Sequence, residues 1–136
     1  MNPPEIPQGT NVLGVGIDQI EVSRIRDSLK KHGDHFLKKI FSQVEQKYCK
    51  EKADPALCVA ARFAAKEATA KAMGTGFGVE FGWLDAEVSN GAMGEPILSF
   101  SEKGQSLLES KGGNRALISL THLESVASAI VILISE

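Results

Sequence analysis

The sequence predicts an α+β fold in which an antiparallel sheet packs against one long central helix. An alanine-rich segment, residues 55–73, has the composition of a helix that contacts other elements on several sides. Two apolar segments near the carboxyl terminus, residues 116–121 and 126–134, are separated by so few residues that we expect an antiparallel hairpin. With 136 residues, the chain is long enough for one domain and too short for two ordinary ones.

The amino-terminal part divides into a leader and a first strand. Residues 1–11 contain three prolines and no apolar core, so we expect a flexible leader before a single domain over residues 12–136. Residues 12–17 are apolar and β-branched apart from two glycines, which is typical of a strand that another backbone approaches closely. Asp18 is predicted to end this strand.

The following segment, residues 21–31, has the periodicity of an amphipathic helix, and Gly33 is its stop signal. Its apolar face is formed by Val22, Ile25 and Leu29. Its opposite face carries Arg24, Ser28 and Lys31. A solvated face is the usual interpretation of such a polar stripe, and a surface for an acidic protein partner is the alternative.

Start and stop signals divide the middle of the chain. Residues 42–45 (Ser-Gln-Val-Glu) form a capping box, which predicts the start of a helix. Asp54 followed by Pro55 marks the start of the alanine-rich helix. This helix should run to about Met73, with Gly74 as its carboxyl-terminal stop.

The second half of the chain predicts shorter elements. Residues 83–89 alternate between apolar and polar side chains, as in a half-buried strand, and residues 90–91 (Asn-Gly) mark a turn. A short strand is predicted over residues 97–100. Ser101 caps a predicted helix that ends by residues 112–113.

Composition and charge exclude several classes of function. The formal net charge of −2 provides no global basic field for nucleic acid or anionic lipid. No apolar run approaches the ~20 residues of a membrane span, and the leader lacks the apolar core of a signal peptide. Cys49 and Cys58 have no metal-ligand spacing, so we expect two free thiols in a reducing cytosol. These observations predict a soluble, cytoplasmic protein with neither a nucleic-acid nor a membrane partner.

Two carboxylates are candidates for chemistry. Glu67 shares its helical face with mostly apolar residues, where a carboxylate must be paired, protonated or bound to a metal. An intrahelical pair with Lys71 is the alternative, and spacing alone favours that pair over catalysis. Asp18 follows a strand and can equally well cap the next helix. Two carboxylates from separate segments suit Mg²⁺, which takes waters and substrate phosphates as its other ligands.

Glycines and histidines are weaker candidates. Residues 74–78 (Gly-Thr-Gly-Phe-Gly) follow a helix, whereas the dinucleotide-binding fingerprint must follow a strand. A helix stop with a flexible loop is the expected structure there, and a loop that lets a ligand lie close to backbone is the alternative. His32 and His35 flank a helix stop, and His122 lies at the mouth of the predicted hairpin. All three are expected to be exposed.

Several short motifs stand in an order that is similar to one known family. They are residues 15–21 (Val-Gly-Ile-Asp-Gln-Ile-Glu) with Arg24, residues 62–68 (Arg-Phe-Ala-Ala-Lys-Glu-Ala) with Lys71, residues 74–76 (Gly-Thr-Gly), Asn90, Gly94, Pro96 and residues 119–122 (Ser-Leu-Thr-His). From Val12 onward the chain resembles the bacterial holo-acyl-carrier-protein synthases, the small 4′-phosphopantetheinyl transferases. The segment 62–71 is the most specific part of this resemblance.

The resemblance implies a reaction, an assembly and a set of site residues. The implied reaction transfers 4′-phosphopantetheine from coenzyme A to a serine of apo acyl carrier protein, in a homotrimer with sites at the subunit interfaces. Asp18 and Glu67 match the family's Mg²⁺ ligands and, with Lys71, its catalytic residues. The residues implied in coenzyme A binding are Arg62, Lys71, Gly74, Gly76 and His122. Arg24 matches an arginine that binds the carrier protein.

Two other functions remain open from the residues alone. A metal-dependent phosphohydrolase would use the same metal and cation to activate water instead of a serine. A non-catalytic nucleotide-binding module would keep Asp18 and Glu67 as structural residues.

Overall fold

The computed structural model describes residues 8–9 and 11–136, so most of the predicted leader lies outside the described residues. The elements along the chain are β1 (Val12–Glu21), α1 (Val22–His32), α2 (Asp34–Ile40), α3 (Gln43–Lys50), α4 (Pro55–Met73), a 3₁₀ turn (Trp83–Asp85), β2 (Ala86–Asn90), β3 (Pro96–Phe100), α5 (Glu102–Ser110), β4 (Arg115–His122) and β5 (Val126–Ile134). In this part of the chain, no helix has the length and apolar character to span a bilayer.

The strands form two antiparallel sheets. A three-stranded sheet has the order β1-β5-β4, and β2 and β3 form a separate hairpin. The predicted pairing of the last two strands is confirmed, and the bounds of β5 are those predicted. The α+β class is also confirmed, because α4 packs across β1 and β5.

Close packing between α4 and β1 explains the glycines of the first strand. A Cβ atom at Gly14 would overlap the backbone carbonyl of Ala72, and a Cβ atom at Gly16 would overlap that of Ala68. The alanines of α4 that face this strand are buried. Small residues on both elements therefore let the helix and strand backbones approach, as the sequence predicts.

The predicted end of β1 at Asp18 is wrong. The strand continues to Glu21, because residues 18–21 pair with residues 126–129 of β5. Asp18 is therefore an interior residue of the strand. It lies on the same face as Gly16, which is the face that α4 covers.

Local signals placed most helices correctly and missed one. The capping box is formed in both directions, since the Glu45 amide donates to Ser42 Oγ at 3.2 Å and the Ser42 amide donates to Glu45 Oε1 at 2.9 Å. Gly33 and Gly74 follow the carboxyl ends of α1 and α4, as predicted. The short helix α2 was not predicted. Asp54 is the N-cap residue of α4, as predicted, and its carboxylate also accepts from the Arg26 guanidinium.

The predicted strand over residues 83–89 is wrong in its first three residues. They form the 3₁₀ turn, in which the Asp85 carboxylate accepts from the Gly82 amide at 2.7 Å and from the Ser101 hydroxyl at 2.7 Å. These side-chain contacts take the place of ladder hydrogen bonds. The strand β2 begins only after Asp85.

The expectation of two free thiols is also wrong. Cys49 in the last turn of α3 and Cys58 in the first part of α4 form a disulfide, with their Cα atoms 5.4 Å apart. This separation lies within the range of disulfide bonds. The packing of α3 against α4 produces it, and a spacing of nine residues in sequence does not reveal that packing.

Candidate active site

Four of the predicted site residues line one cleft of about 350 Å³. This carboxylate cleft is formed by Asp18 from β1, Arg24 from α1, and Glu67 and Lys71 from α4. Its remaining wall is mainly apolar and includes Ile25, Phe36 and Phe63. The rings of Phe36 and Phe63 stack with their centroids 6.4 Å apart. Phe36 was not predicted, because it belongs to the unpredicted helix α2.

The geometry of Asp18 explains how residues so distant in sequence converge. Because β1 continues past Asp18, its side chain faces α4 at the level of Glu67 and Lys71. Glu67 and Lys71 lie four residues apart and so share one face of α4. The cleft is therefore built on the contact between a strand and a helix, both of them rigid elements.

Lys71 pairs across the cleft. Its Nζ donates to Asp18 Oδ1 at 2.9 Å and to the Ile17 carbonyl at 3.1 Å. The intrahelical pair of Glu67 with Lys71, which spacing alone favoured, is not formed among the described residues. The ammonium group instead joins α4 to β1.

The carboxylate of Glu67 is destabilised in its charged form within this cleft. Partial burial raises the pKa of Glu67, the Asp18 carboxylate raises it further, and Lys71 partly opposes both effects. A cation between Asp18 and Glu67 would offset the repulsion from Asp18 and favour the charged form of Glu67.

The donor set fits magnesium better than a metal that needs a full protein cage. No group of three or more His, Cys, Asp or Glu side chains with ligand geometry occurs in the described part of the chain. Two carboxylates on an open cleft leave most of a coordination sphere to water and phosphate oxygens, which is typical of Mg²⁺. Asp18 and Glu67 are the residues that would hold it.

A second cleft, of about 510 Å³, contains two more of the predicted site residues. This arginine cleft is lined by Arg62 from α4, His122 from the end of β4 and Asn90 from the end of β2. Tyr48 and Lys52 complete its basic and aromatic part. Tyr48 and Lys52 were not predicted, because no sequence motif indicates a binding role at either position. Only the packing of α3 against α4 places them beside Arg62.

Arg62 is buried and closely held. Its Nη2 donates to Asn90 Oδ1 at 2.5 Å, its Nη1 donates to Cys58 Sγ at 3.2 Å, and its guanidinium lies 4.4 Å from the Tyr48 ring centroid. Its buried Nε has no hydrogen-bond partner among the described residues. Burial lowers the pKa of Arg62, and the neighbouring Tyr48 and Glu45 oppose this shift.

The two clefts lie on opposite sides of α4. At about 100° per residue, Arg62 and Lys71 point about half a turn apart. Gly74 and Gly76 follow the end of α4 with positive φ angles of 79° and 64°, and neither lines either cleft. The structure thus brings Asp18, Glu67 and Lys71 together and places the other predicted coenzyme A ligands elsewhere.

Comparisons with known proteins agree on one family. The model of the 4′-phosphopantetheinyl transferase superfamily matches residues 14–127. A holo-acyl-carrier-protein synthase of Protochlamydia amoebophila is 44% identical over 120 residues, which are 88% of this chain and 96% of that protein. One of Chlamydia muridarum is 45% identical over 121 residues, which are 89% of this chain and 94% of that protein.

Solved structures show the same fold. The synthase of Neisseria meningitidis superimposes with a TM-score of 0.84 at 30% identity, covering 90% of this chain and 98% of its own. The Bacillus anthracis synthase, in complex with coenzyme A (3′,5′-ADP), superimposes with a TM-score of 0.78 at 36% identity, covering 93% and 100%. The chain therefore belongs to the 4′-phosphopantetheinyl transferase superfamily, among its holo-acyl-carrier-protein synthases.

Proposed function

We propose that this enzyme transfers 4′-phosphopantetheine from coenzyme A to a serine of apo acyl carrier protein and that the reaction depends on magnesium. The observation that carries the proposal is the convergence of Asp18, Glu67 and Lys71 on one cleft in a chain of this family. Synthases of Helicobacter pylori and Bacillus anthracis have been crystallised with coenzyme A, which supports the same donor here.

The side chains of the carboxylate cleft can perform such a transfer. The serine oxygen of the carrier forms a bond to the β-phosphorus of coenzyme A, and the bond from that phosphorus to the bridging oxygen breaks. Adenosine 3′,5′-bisphosphate leaves. The Lys71 ammonium can neutralise the charge that develops on the leaving phosphate. Glu67, whose pKa is raised by burial and by Asp18, can accept the proton of the serine hydroxyl.

Asp18 has two roles in this proposal. It positions Lys71 through their ion pair, and together with Glu67 it provides the carboxylates for magnesium. Bound there, the ion would supply positive charge to the pyrophosphate oxygens. The rings of Phe36 and Phe63 form an apolar wall of the same cleft.

Arg62 and His122 bind phosphate groups of coenzyme A in this proposal, although they lie across α4 from Lys71. Arg62 has a buried Nε without a protein partner, which suits a site completed by a ligand or by ordered water. Because the arginine cleft and the carboxylate cleft of one chain face opposite sides of α4, a single ligand would meet both only if they came from neighbouring subunits. We infer that the site is completed at an interface between two copies.

The outer face of the three-stranded sheet favours such an assembly. Three of its large apolar residues are strongly exposed, namely Ile17 at 62%, Leu117 at 40% and Ile130 at 36%. Ile17 and Ile130 are paired neighbours on β1 and β5. A contiguous apolar surface of this kind marks an interaction site. We propose that it is buried in a homotrimer, and a fully active monomer in light scattering at micromolar concentration would contradict this.

One incubation tests the reaction itself. The enzyme is mixed with coenzyme A, magnesium and apo carrier protein, and the carrier is weighed by mass spectrometry with and without a chelator. A magnesium-dependent gain of one phosphopantetheine is expected. Free phosphopantetheine with an unmodified carrier would identify a phosphohydrolase, and nucleotide binding without turnover would identify a binding module. Either result would overturn the proposal.

A further inference from the structure

We propose that Cys49 and Cys58 form a redox-active site, and that reduction of their disulfide weakens the binding of phosphate-bearing nucleotides in the arginine cleft. The inference rests on the proposed function in one respect, which is that this cleft binds the nucleotide part of coenzyme A. The disulfide itself, its place in the cleft and its contact with Arg62 are features of the structure.

The disulfide closes a short loop that lines the cleft. It joins the last turn of α3 to the first part of α4, and the segment between the two cysteines contains Lys52, Asp54 and Leu57, all of which line the cleft. Closing this loop removes conformational freedom from the segment. Reduction restores that freedom, so a ligand that orders the segment on binding then loses affinity.

Arg62 connects the sulfur atoms to the ligand. Its Nη1 donates to Cys58 Sγ at 3.2 Å. In the disulfide this sulfur is uncharged, so it does not compete with a phosphate for the Arg62 guanidinium. After reduction, a guanidinium at this distance stabilises a cysteine thiolate. The thiolate then competes with phosphate for Arg62. This competition lowers the affinity for the nucleotide, as does the greater freedom of the loop.

The redox step requires a reductant of the dithiol class. Its first thiolate attacks Cys58 Sγ, because Cys58 is 8% exposed and lines the cleft whereas Cys49 is 3% exposed and does not. The S–S bond breaks, a mixed disulfide forms at Cys58, and Cys49 leaves as a thiolate that takes up a proton. The second thiolate of the reductant then attacks the mixed disulfide and releases Cys58. Cys58 remains a thiolate beside Arg62, so two electrons and one proton reach the protein, and the reductant leaves as a disulfide.

The position of the disulfide beside a candidate ligand site favours a redox-active role, because opening the bond changes the freedom and the charge of residues that line the cleft. The Cys58 sulfur contacts Arg62, and both residues line the same cleft as Lys52 and His122.

The test measures nucleotide affinity in two defined redox states. The probe is adenosine 3′,5′-bisphosphate, because coenzyme A carries a thiol that would itself attack the disulfide. Isothermal titration is performed on oxidised protein and on protein reduced with a phosphine, and the thiols of each sample are counted under denaturing conditions. The reduced form should bind about tenfold more weakly, the loss expected when one charge-assisted contact is taken from the ligand.

Cysteine variants separate the two causes of the loss. Cys49→Ser leaves the Cys58 sulfur free beside Arg62 and opens the loop, so it should bind as weakly as the reduced wild type. Cys49→Ser combined with Cys58→Ser opens the loop without a thiolate, so its affinity should lie between the two wild-type states. The double variant should not respond to reduction at all.

Three results would overturn the inference. Equal affinities of oxidised and reduced wild type would show that the disulfide does not control the cleft. Two titratable thiols after treatment with oxidant would show that the disulfide does not form in solution. If the nucleotide binds neither form, the assignment of the arginine cleft fails, and the inference fails with it. That outcome differs visibly from a failure of redox control, in which both forms bind.

Discussion

Lys66 and Glu67 are neighbours on α4, yet their side chains enter opposite environments. Lys66 is fully buried, and its Nζ lies 2.9 Å from the Glu45 carboxylate, 2.8 Å from the Trp83 carbonyl and 2.6 Å from the Ala86 carbonyl. The buried Glu45 carboxylate also accepts from the amides of Ser42 and Val88, each at 2.9 Å. This buried ion pair has a protein partner for every charge, and it joins α3, α4 and β2.

Glu67 faces an open cleft, and its charge is poorly compensated. Among the described residues its side chain receives no hydrogen bond, and its pKa is raised by burial and by Asp18. The lysine of this cleft is bound to Asp18 instead. The difference teaches how one helix serves two purposes. Charges that are fully satisfied by the protein hold the elements together, whereas charges left partly unsatisfied in a cleft are available to a ligand.

The largest expected effect is on stability, at the buried ion pair. Lys66→Met leaves the Glu45 carboxylate buried beside an apolar side chain and removes the donor to the carbonyls of Trp83 and Ala86. Breaking a buried ion pair on one side costs ~3–5 kcal/mol. Urea denaturation of the variant should show a loss of this size.

A matched pair of controls separates burial from charge. Lys66→Met combined with Glu45→Gln removes both charges and should recover part of the loss, because an unpaired buried charge is the main cost. Arg26→Ala removes a solvent-exposed ion pair with Asp54 and should cost little stability, because solvent screens such pairs. A loss at Lys66 no larger than that at Arg26 would show that the buried pair does not hold the fold.

The next effect is on activity, at the carboxylate cleft. Asp18→Asn and Glu67→Gln should each reduce kcat/KM by about a hundredfold or more, because one charge-stabilising group in an active site is worth this much. Both variants should keep the fold, since neither carboxylate is part of the core. Carrier modification at saturating magnesium measures the loss. Normal turnover in either variant would remove that residue from the metal site.

Local sequence signals predicted elements whose limits are set by neighbouring residues. The capping box at residues 42–45, the proline at the start of α4 and the glycine after it are examples. The end of β1 was mispredicted because residues 18–21 are held in the strand by residues 126–129, more than a hundred positions away. The Trp83–Asp85 turn was mispredicted for the same reason, since Ser101 helps to hold it. Long-range pairing leaves no local signal.

The site was predictable only through its motifs. Spacing along α4 favoured a pair between Glu67 and Lys71, whereas the structure pairs Lys71 with Asp18. The resemblance to a family brought Asp18 and Glu67 together, and the cleft places them accordingly. The resemblance also named Arg62 and His122, which both line the arginine cleft, but neither approach found the disulfide, Tyr48 or Lys52, because these depend on the packing of α3 and the following loop against α4. Candidate catalytic and binding residues can be identified from a sequence, but the contacts between helices cannot.

A smaller effect is expected on the stability of the metal-free enzyme. Glu67→Gln, which should lower activity, should raise this stability. The pKa of Glu67 is higher in the folded protein than in the unfolded chain, so folding favours the protonated form. The free energy of unfolding therefore falls as pH rises from the ordinary glutamate pKa of about 4.3 through the raised value. Glu67→Gln removes this loss and should have a modestly higher Tm at neutral pH.

The measurement is thermal unfolding with a chelator present, at neutral pH and below pH ~4, where wild-type Glu67 is protonated in both states. The advantage of Glu67→Gln should disappear at the acidic pH. Added magnesium should reverse the order at neutral pH, because only the wild type gains a bound ion. A variant less stable than wild type at neutral pH in chelator would show that the Glu67 charge is well compensated in the fold.

The smallest expected effect concerns the carrier protein, at Arg24. This residue lines the carboxylate cleft from α1, together with Ser28. A partner whose serine reaches Glu67 must pass along this helix, and its acidic groups would meet the guanidinium. Arg24→Ala should therefore raise the KM for the carrier by about fivefold, since an exposed charge pair is worth at most ~1 kcal/mol. The KM for coenzyme A should change little.

Arg26→Ala is the matched control, because it removes the same charge from the same helix. Arg26 lies outside the cleft and pairs with Asp54, so its loss should leave the KM for the carrier unchanged. The effect of Arg24→Ala should also shrink with added salt, because exposed charges are screened over ~8–10 Å near physiological ionic strength. Steady-state kinetics with each substrate varied in turn, at low and high salt, measures the KM for the carrier, the KM for coenzyme A and their dependence on salt. Equal losses for both substrates would mean that Arg24 supports the cleft itself, and equal behaviour of the two variants would make the polar face of α1 a solvated surface.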